Sequence, residues 1–364
     1  MKRNIAGTAA ALLAAVLLLP LRGQAVSAQH AIVLDAQTGR VLYEKSADER
    51  SLIASTTKIM TALVVCEQCN VLDRMRIPKE AVGIEGSSMY LKEGEVLTIQ
   101  ELLYGLMLQS GNDAAVALAI YCGGTVEGFV ELMNDKARSL HLTNTHFENP
   151  NGLDAPEHYS TARDLAVLTA YAMENPIFAK TVSTKTVSAG NRALRNHNKL
   201  LWSVEGADGV KTGYTKAAGR ILVSSAVRDG RRLIAVTIHD PDDWQDHAKL
   251  LNQGFSDYTV QQIVTQGQTV GTVAVIGGRE DQVELIAQSD FSYALSPGEC
   301  PELMISGPGF VYAPVSENQD AGVVYLCLGR KTIGKIPVRY AQTVELQPEE
   351  KRHFWDGWFE TGKT

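Results

Sequence analysis

The sequence predicts an α/β domain whose sheet draws strands from both of its ends, followed by a small all-β domain. Three observations predict it. Short β-rich runs bounded by turn residues stand near the start of the chain and again between residues 209 and 239. Between them, apolar residues recur at helical spacing. After Tyr258 only short β-type runs with glycine-containing turns remain. Strands at both ends of a domain, with helices between them, imply one sheet built from its N- and C-terminal segments. At 364 residues the chain is long enough for two domains.

The first residues stand apart from that fold. Lys2 and Arg3 precede an apolar run from Ile5 to Leu19, Pro20 breaks it, and Val26-Ser27-Ala28 offers the small residues that signal peptidase accepts. Residues 1–28 are therefore expected to be a secretory signal, cut after Ala28. An uncleaved anchor is the competing reading, but the run is short for a span. Losing the segment removes three basic residues and no acidic one from a chain whose net charge is already −7. Such a protein has no broad electrostatic affinity for nucleic acid.

The first domain is expected over 29–258. It opens with runs at 31–34 and 41–44 around Asp35-Ala36-Gln37-Thr38-Gly39, a hairpin. From Ser55 to about Cys66 the spacing is helical, with Ile59, Leu63 and Cys66 on one stripe. Thr98-Ile99-Gln100-Glu101 is a capping box, and Leu102, Leu103, Leu106 and Met107 form the apolar face of the helix it starts. Ser110-Gly111-Asn112 interrupts that helix. Asn112 or Asp113 is expected to cap the next, 114–122, which Gly123-Gly124 stops. A corner of this kind aims side chains into a cleft. Residues 126–180 read as mostly helical around a loop at Asn149-Pro150-Asn151-Gly152. Runs at 209–215, 221–227 and 233–239 read as strands, and a helix over about 242–252 closes the domain. Residues 259–346 read as the all-β domain, and 347–364 as a tail.

Five cysteines, Cys66, Cys69, Cys122, Cys300 and Cys327, make an odd and scattered set, a poor disulfide framework. Cys66-x-x-Cys69 follows an apolar run and has no second pair or histidine cluster near it. Buried thiols explain it, and no metal or other cofactor is expected.

Three short motifs occur in order. Ser55-Thr56-Thr57-Lys58 is the one S-x-x-K of the chain, Ser110-Gly111-Asn112 is an S-x-N, and Lys211-Thr212-Gly213 is the one K-T-G. Ser316-Glu317-Asn318 shows how easily an S-x-N arises by chance, so the joint occurrence carries the weight. A serine hydroxyl needs a base to become a nucleophile. Residues i and i+3 share a helix face, which brings the Lys58 amine to Ser55. Lys58 is a base only when neutral, a state favoured by burial or by a cation such as Lys211. A helix N-terminus at Ser55 aims backbone N–H groups at a forming oxyanion. On their corner, Ser110 is placed to relay a proton and Asn112 to hold a substrate amide. Lys211 and Thr212 on a strand suit a terminal carboxylate, and Gly213 lets an extended substrate pair with that strand.

These motifs resemble those of the penicillin-recognising serine enzymes. More narrowly, the chain is similar to the low-molecular-mass penicillin-binding proteins that are D-alanyl-D-alanine carboxypeptidases. The likeness is carried by Ala54 to Ala62, Met107 to Ala115, Phe147 to Leu153 and Gly206 to Thr215, and it covers most of the chain beyond the signal. The resemblance implies a β-lactamase/transpeptidase-like fold, an antiparallel sheet flanked by helices plus a helical cluster. It implies an acyl-enzyme on Ser55 with Lys58 as general base, and an oxyanion hole from the backbone N–H groups of Ser55 and Tyr214. Peptidoglycan stem peptides are the implied substrates, β-lactams the implied covalent inhibitors, and the outer face of the cytoplasmic membrane the implied location. Many family members carry an arginine just before the helix that ends the catalytic domain. Here that region, Asp240 to His247, has none, so either Lys211 and Thr212 suffice or another cation reaches in.

The tail carries Phe354, Trp355, Trp358 and Phe359, one aromatic face if helical, beside Lys351 and Arg352. It suits peripheral membrane contact or docking on its own domain. A serine β-lactamase is the runner-up, but the class A pattern E-x-x-L-N is absent between the second and third motifs. A catalytically retired cell-wall binding protein is the third reading, opposed by the intact Ser55 and Lys58. His197, between Asn196 and Asn198, reads as structural or cleft-lining, Asp113 as a cap and Asn149 as a turn former.

Overall fold

The computed structural model describes residues 26–307 and 309–348. Their contacts form two compact units: residues through Leu34 with Tyr43–Leu251, and Asp35–Leu42 with the chain from Asn252 onward. The division falls within the last helix of the first domain, and it assigns the tip of the first hairpin to the second unit.

In the first unit, β1 (His30–Asp35), β2 (Val41–Lys45), β3 (Ala207–Thr215), β4 (Gly219–Arg228) and β5 (Arg231–Ile238) form one sheet in the order β2-β1-β5-β4-β3. β3, β4 and β5 are a meander paired antiparallel throughout. Packed with it are α1 (Lys58–Gln68), α2 (Ile99–Leu108), α3 (Asn112–Gly123), α4 (Val126–Ser139), α5 (Ala162–Ala172), α6 (Pro176–Ser183) and α7 (Asp243–Ser256). The sheet does draw on both ends of the domain, because β1 pairs with β5.

Two local differences from the sequence reading matter for the site. Ser55 lies in a 3-10 turn, Ala54–Thr57, and α1 starts only at Lys58. A 3-10 turn has three residues per turn, so positions 55 and 58 eclipse rather than merely share a face. The expected apolar stripe also understates α1, since every residue from Lys58 to Cys66 is buried. It touches α2, α3, α4, α5 and α6 and is the central helix of the unit.

The capping box of α2 is present: Thr98 Oγ1 accepts from Glu101 N at 3.1 Å and Glu101 Oε2 accepts from Thr98 N at 2.8 Å. At α3, by contrast, Gly111 is the cap residue, and Asn112 and Asp113 lie inside the first turn with other partners. Asp113 accepts from Ser88 Oγ, Met89 N and Leu91 N at 2.6, 3.0 and 3.0 Å, tying residues 88–91 to the start of α3.

The second unit has two parts. β6 (Thr259–Val264) pairs with β9 (Phe291–Leu295). β7 (Thr269–Ile276), β8 (Gln282–Ala287), β10 (Glu302–Ser306), β11 (Phe310–Tyr312), β12 (Asp320–Leu328) and β13 (Lys331–Tyr340) form a sheet in the order β10-β12-β13-β8-β7-β11. Only the short β7–β11 edge pair is parallel in it. Val264, Leu285, Val324, Leu326, Ile336 and Val338 build its separate core. Arg40 joins this unit through Glu299, at 2.6 Å, with its Cζ 4.7 and 5.3 Å from the Tyr258 and Tyr293 rings. The aromatic tail from residue 349 lies outside the described residues, as do residues 1–25 of the expected signal.

Val26 and Ala28 are buried in the first unit. Ser27 N donates to Asp246 Oδ2 at 2.6 Å, its hydroxyl to Asp240 Oδ1 at 2.5 Å, and Lys45 Nζ donates to the Ala28 carbonyl at 2.6 Å. Cleavage after Ala28 would discard all of these contacts, whereas cleavage after Ala25 keeps them. N-terminal sequencing of the purified protein is expected to read Val-Ser-Ala, and a start at Gln29 would count against this. Asp113→Ala leaves three buried backbone donors, Met89 N, Leu91 N and Ala114 N, unanswered, and a loss of about 3 kcal/mol in urea denaturation is expected. A loss below about 0.5 kcal/mol would contradict it.

Candidate active site

The chain brings the three motifs together around one amine. Lys58 Nζ lies 2.9 Å from Ser55 Oγ, 2.7 Å from Asn112 Oδ1 and 2.5 Å from the Asn151 carbonyl oxygen. All three neighbours are oxygens, and among the described residues no carboxylate hydrogen-bonds to the amine. A neutral amine has two N–H donors and one lone pair. Donation to Asn112 and Asn151 leaves the lone pair to face the Ser55 hydroxyl. Lys58 is fully buried. Burial first, and then the charge of Lys211, hold its pKa well below the usual lysine value, with Asp113 acting weakly the other way.

Backbone geometry holds this cluster. Ala54, just before the serine, has φ +44°, and Ser110 has φ +61°, both in the left-handed region that non-glycine residues rarely occupy. The loop at 149–152 presses onto the same turn. A Cβ at Gly152 would lie 1.9 Å from the Ala54 carbonyl oxygen, so only glycine fits there. Asn149 shapes that loop as a turn former, accepting from Gly152 N at 2.7 Å and donating to the Leu153 carbonyl at 2.9 Å. Gly213 of β3 runs close by: a Cβ there would stand 3.3 Å from Thr56 N and the Ile53 carbonyl oxygen.

Ser55, Ser110, Thr212, Gly213 and Tyr214 line one cleft of about 310 Å³, with Ser87, His197, Arg220, Asp243 and Trp244. Two predicted residues are not among those lining this cleft. Asn112 faces inward, its Oδ1 accepting from Lys58 Nζ and its Nδ2 donating to the Glu85 carbonyl at 2.5 Å. Lys211 does not line the cleft. It is 1% exposed, its Nζ donates to the Thr212 carbonyl at 2.9 Å, and burial pushes its pKa down to about 7. His197 is cleft-lining, with its pKa lowered by burial and then by Lys211.

Sequence reasoning missed the Asn151 carbonyl, a backbone acceptor with no residue-type signal. It also missed Arg220. A search confined to Asp240–His247 finds no arginine, but Arg220 stands directly across from Tyr214 in the β3–β4 register and is legible once the meander is paired. Cys69 meets Cys122 rather than pairing within C-x-x-C, and that thiol contact raises the Cys69 pKa.

Residues 20–242 match the family described as D-alanyl-D-alanine carboxypeptidase, and residues 258–346 match the domain described as penicillin-binding protein 5, C-terminal domain. The chain is 34% identical over 327 residues to the D-alanyl-D-alanine carboxypeptidase DacF of Bacillus subtilis, covering 85% of this chain and 84% of that one. Among solved structures, penicillin binding protein 5 from Haemophilus influenzae is similar with a TM-score of 0.77 and 30% identity, over 90% of this chain and 100% of that one. The D-alanyl-D-alanine carboxypeptidase DacD from Francisella tularensis is similar with a TM-score of 0.78 and 27% identity, over 91% of this chain and 97% of that one. With its motifs gathered in one cleft and the family match running through most of the first unit, the chain belongs to the D-alanyl-D-alanine carboxypeptidases.

Proposed function

We propose that this carboxypeptidase removes the terminal D-alanine from peptidoglycan stem peptides through an ester on Ser55, that it works outside the cytoplasmic membrane, and that β-lactams acylate the same serine. The observation that carries the reading is the buried Lys58 amine 2.9 Å from Ser55 Oγ, with its two N–H groups engaged by other acceptors.

In the first step Lys58 takes the hydroxyl proton as Ser55 Oγ attacks the carbonyl carbon before the last residue. Backbone N–H groups of Ser55 and Tyr214 hold the oxyanion. Collapse breaks the C–N bond, and the departing amine takes a proton from Lys58 by way of Ser110. Water then attacks the ester, Lys58 again accepting the proton, and it returns that proton to Ser55 Oγ as the acyl C–O bond breaks and the shortened peptide leaves. Asn112 and the Asn151 carbonyl keep the amine aimed at Ser55. Lys211 supports the neutral state of Lys58 from behind.

With a pentapeptide ending in D-Ala-D-Ala, release of D-alanine is expected, together with a long-lived penicillin adduct on Ser55 seen by peptide mass mapping. Ser55→Ala removes both, and Lys58→Met slows acylation by about 10²- to 10⁴-fold, the usual weight of a general base. Rapid penicillin turnover would point to a β-lactamase, and labelling that survives Ser55→Ala would end the proposal.

The pH profile has a definite sign. Only neutral Lys58 accepts a proton, so kcat/KM rises as pH climbs through its depressed pKa. The charge of Lys211 contributes to that depression, so Lys211→Gln moves the rise to higher pH. An unchanged or lower midpoint would contradict the electrostatic assignment.

A further inference from the structure

Arg220 is the one residue lining the cleft whose charge is permanent. It stands near the start of β4, across from Tyr214. Asp243, in the first turn of α7, holds it with both carboxylate oxygens, at 2.7 and 2.8 Å. Both contacts use Nη2, which leaves Nε and Nη1 as further donors. The Trp244 ring lies 5.8 Å from the guanidinium carbon. The arginine side chain is 43% exposed while Asp243 is 4% exposed, so the pair has an anchored end and an open end.

The other cation of this region serves a terminal carboxylate poorly. Lys211 is buried and its amine points at a backbone carbonyl, and around neutral pH only part of the population carries its charge. A guanidinium stays protonated, and with Nη2 on Asp243 its Nε–H and Nη1–H groups remain as fixed, charged donors for a carboxylate oxygen.

We infer that Arg220 is the specificity-determining residue that reads the free carboxylate of the substrate's last residue, with Asp243 as its positioning partner. The inference rests on the carboxypeptidase reading. It differs from a plain ion pair fastening α7 to the sheet, which would affect stability alone.

The test compares two pentapeptides ending in D-Ala-D-Ala, one a free acid and one a C-terminal amide, on the full chain, Arg220→Gln and Arg220→Lys. In Arg220→Gln, kcat/KM for the acid is expected to fall about 10- to 100-fold, mainly through KM, with a much smaller change for the amide. Arg220→Lys is expected to recover part of the preference by restoring charge without the fork. It is also the variant to rely on if Arg220→Gln fails to fold. An acid-to-amide ratio unchanged in both variants, whatever their melting temperatures, overturns the inference. If the unmodified protein releases D-alanine from neither peptide, the carboxypeptidase reading fails instead. Arg220 is then judged by Ser55 acylation with benzylpenicillin against its methyl ester, where the same loss of preference supports it and an unchanged ratio overturns it.

Discussion

An amine buried without a counter-ion is the constraint around which the first unit is organised. Lys58 lies in the central helix, fully out of water, and its hydrogen bonds go to neutral oxygens. An ammonium ion in that position would be costly, so the fold favours the free base. Asp113 is near enough to oppose this slightly, yet its carboxylate is spent on residues 88–91. The folded state therefore favours a neutral amine beside the Ser55 hydroxyl.

The surroundings follow from that constraint. Asn112 and the 149–152 loop supply acceptors for the two N–H groups, and the lone pair is left facing Ser55. Holding the serine there requires a left-handed backbone at Ala54 and a loop glycine packed against its carbonyl. Ser110 is held in the left-handed region as well, on the corner between α2 and α3. Strain of this kind persists where the surroundings over-determine it, and here it occurs at Ala54, directly before Ser55, and at Ser110 of the cleft wall.

Charge is divided along the cleft. Lys58 and Lys211 lie behind it, depressed by burial, while Arg220 faces the open side, gripped by Asp243. Two buried amines with depressed pKa values are thus separated from a guanidinium that keeps its charge and its access to the cleft. The described residues lining this cleft all belong to the first unit, and the second unit is held by its own apolar core.

The sequence by itself determined the fold class, the chemical type and the order of the motifs. Those properties rest on local periodicity and on residue types with few alternative uses, such as the capping box at Thr98 and the S-x-x-K at Ser55. It was silent, or wrong, wherever a partner comes from far along the chain. Nothing local says that Asn112 turns inward to Lys58, that Asp113 reaches residues 88–91 as well as Ala114 N while Gly111 takes the cap position, or that a backbone carbonyl at Asn151 completes the lysine's shell. Arg220 was overlooked because its relation to Tyr214 and Asp243 exists only once the meander is paired and α7 is packed beside it. The order of the motifs is written along the chain, whereas the burial that depresses the Lys58 pKa and the register that sets Arg220 across from Tyr214 arise only when distant segments exclude water together.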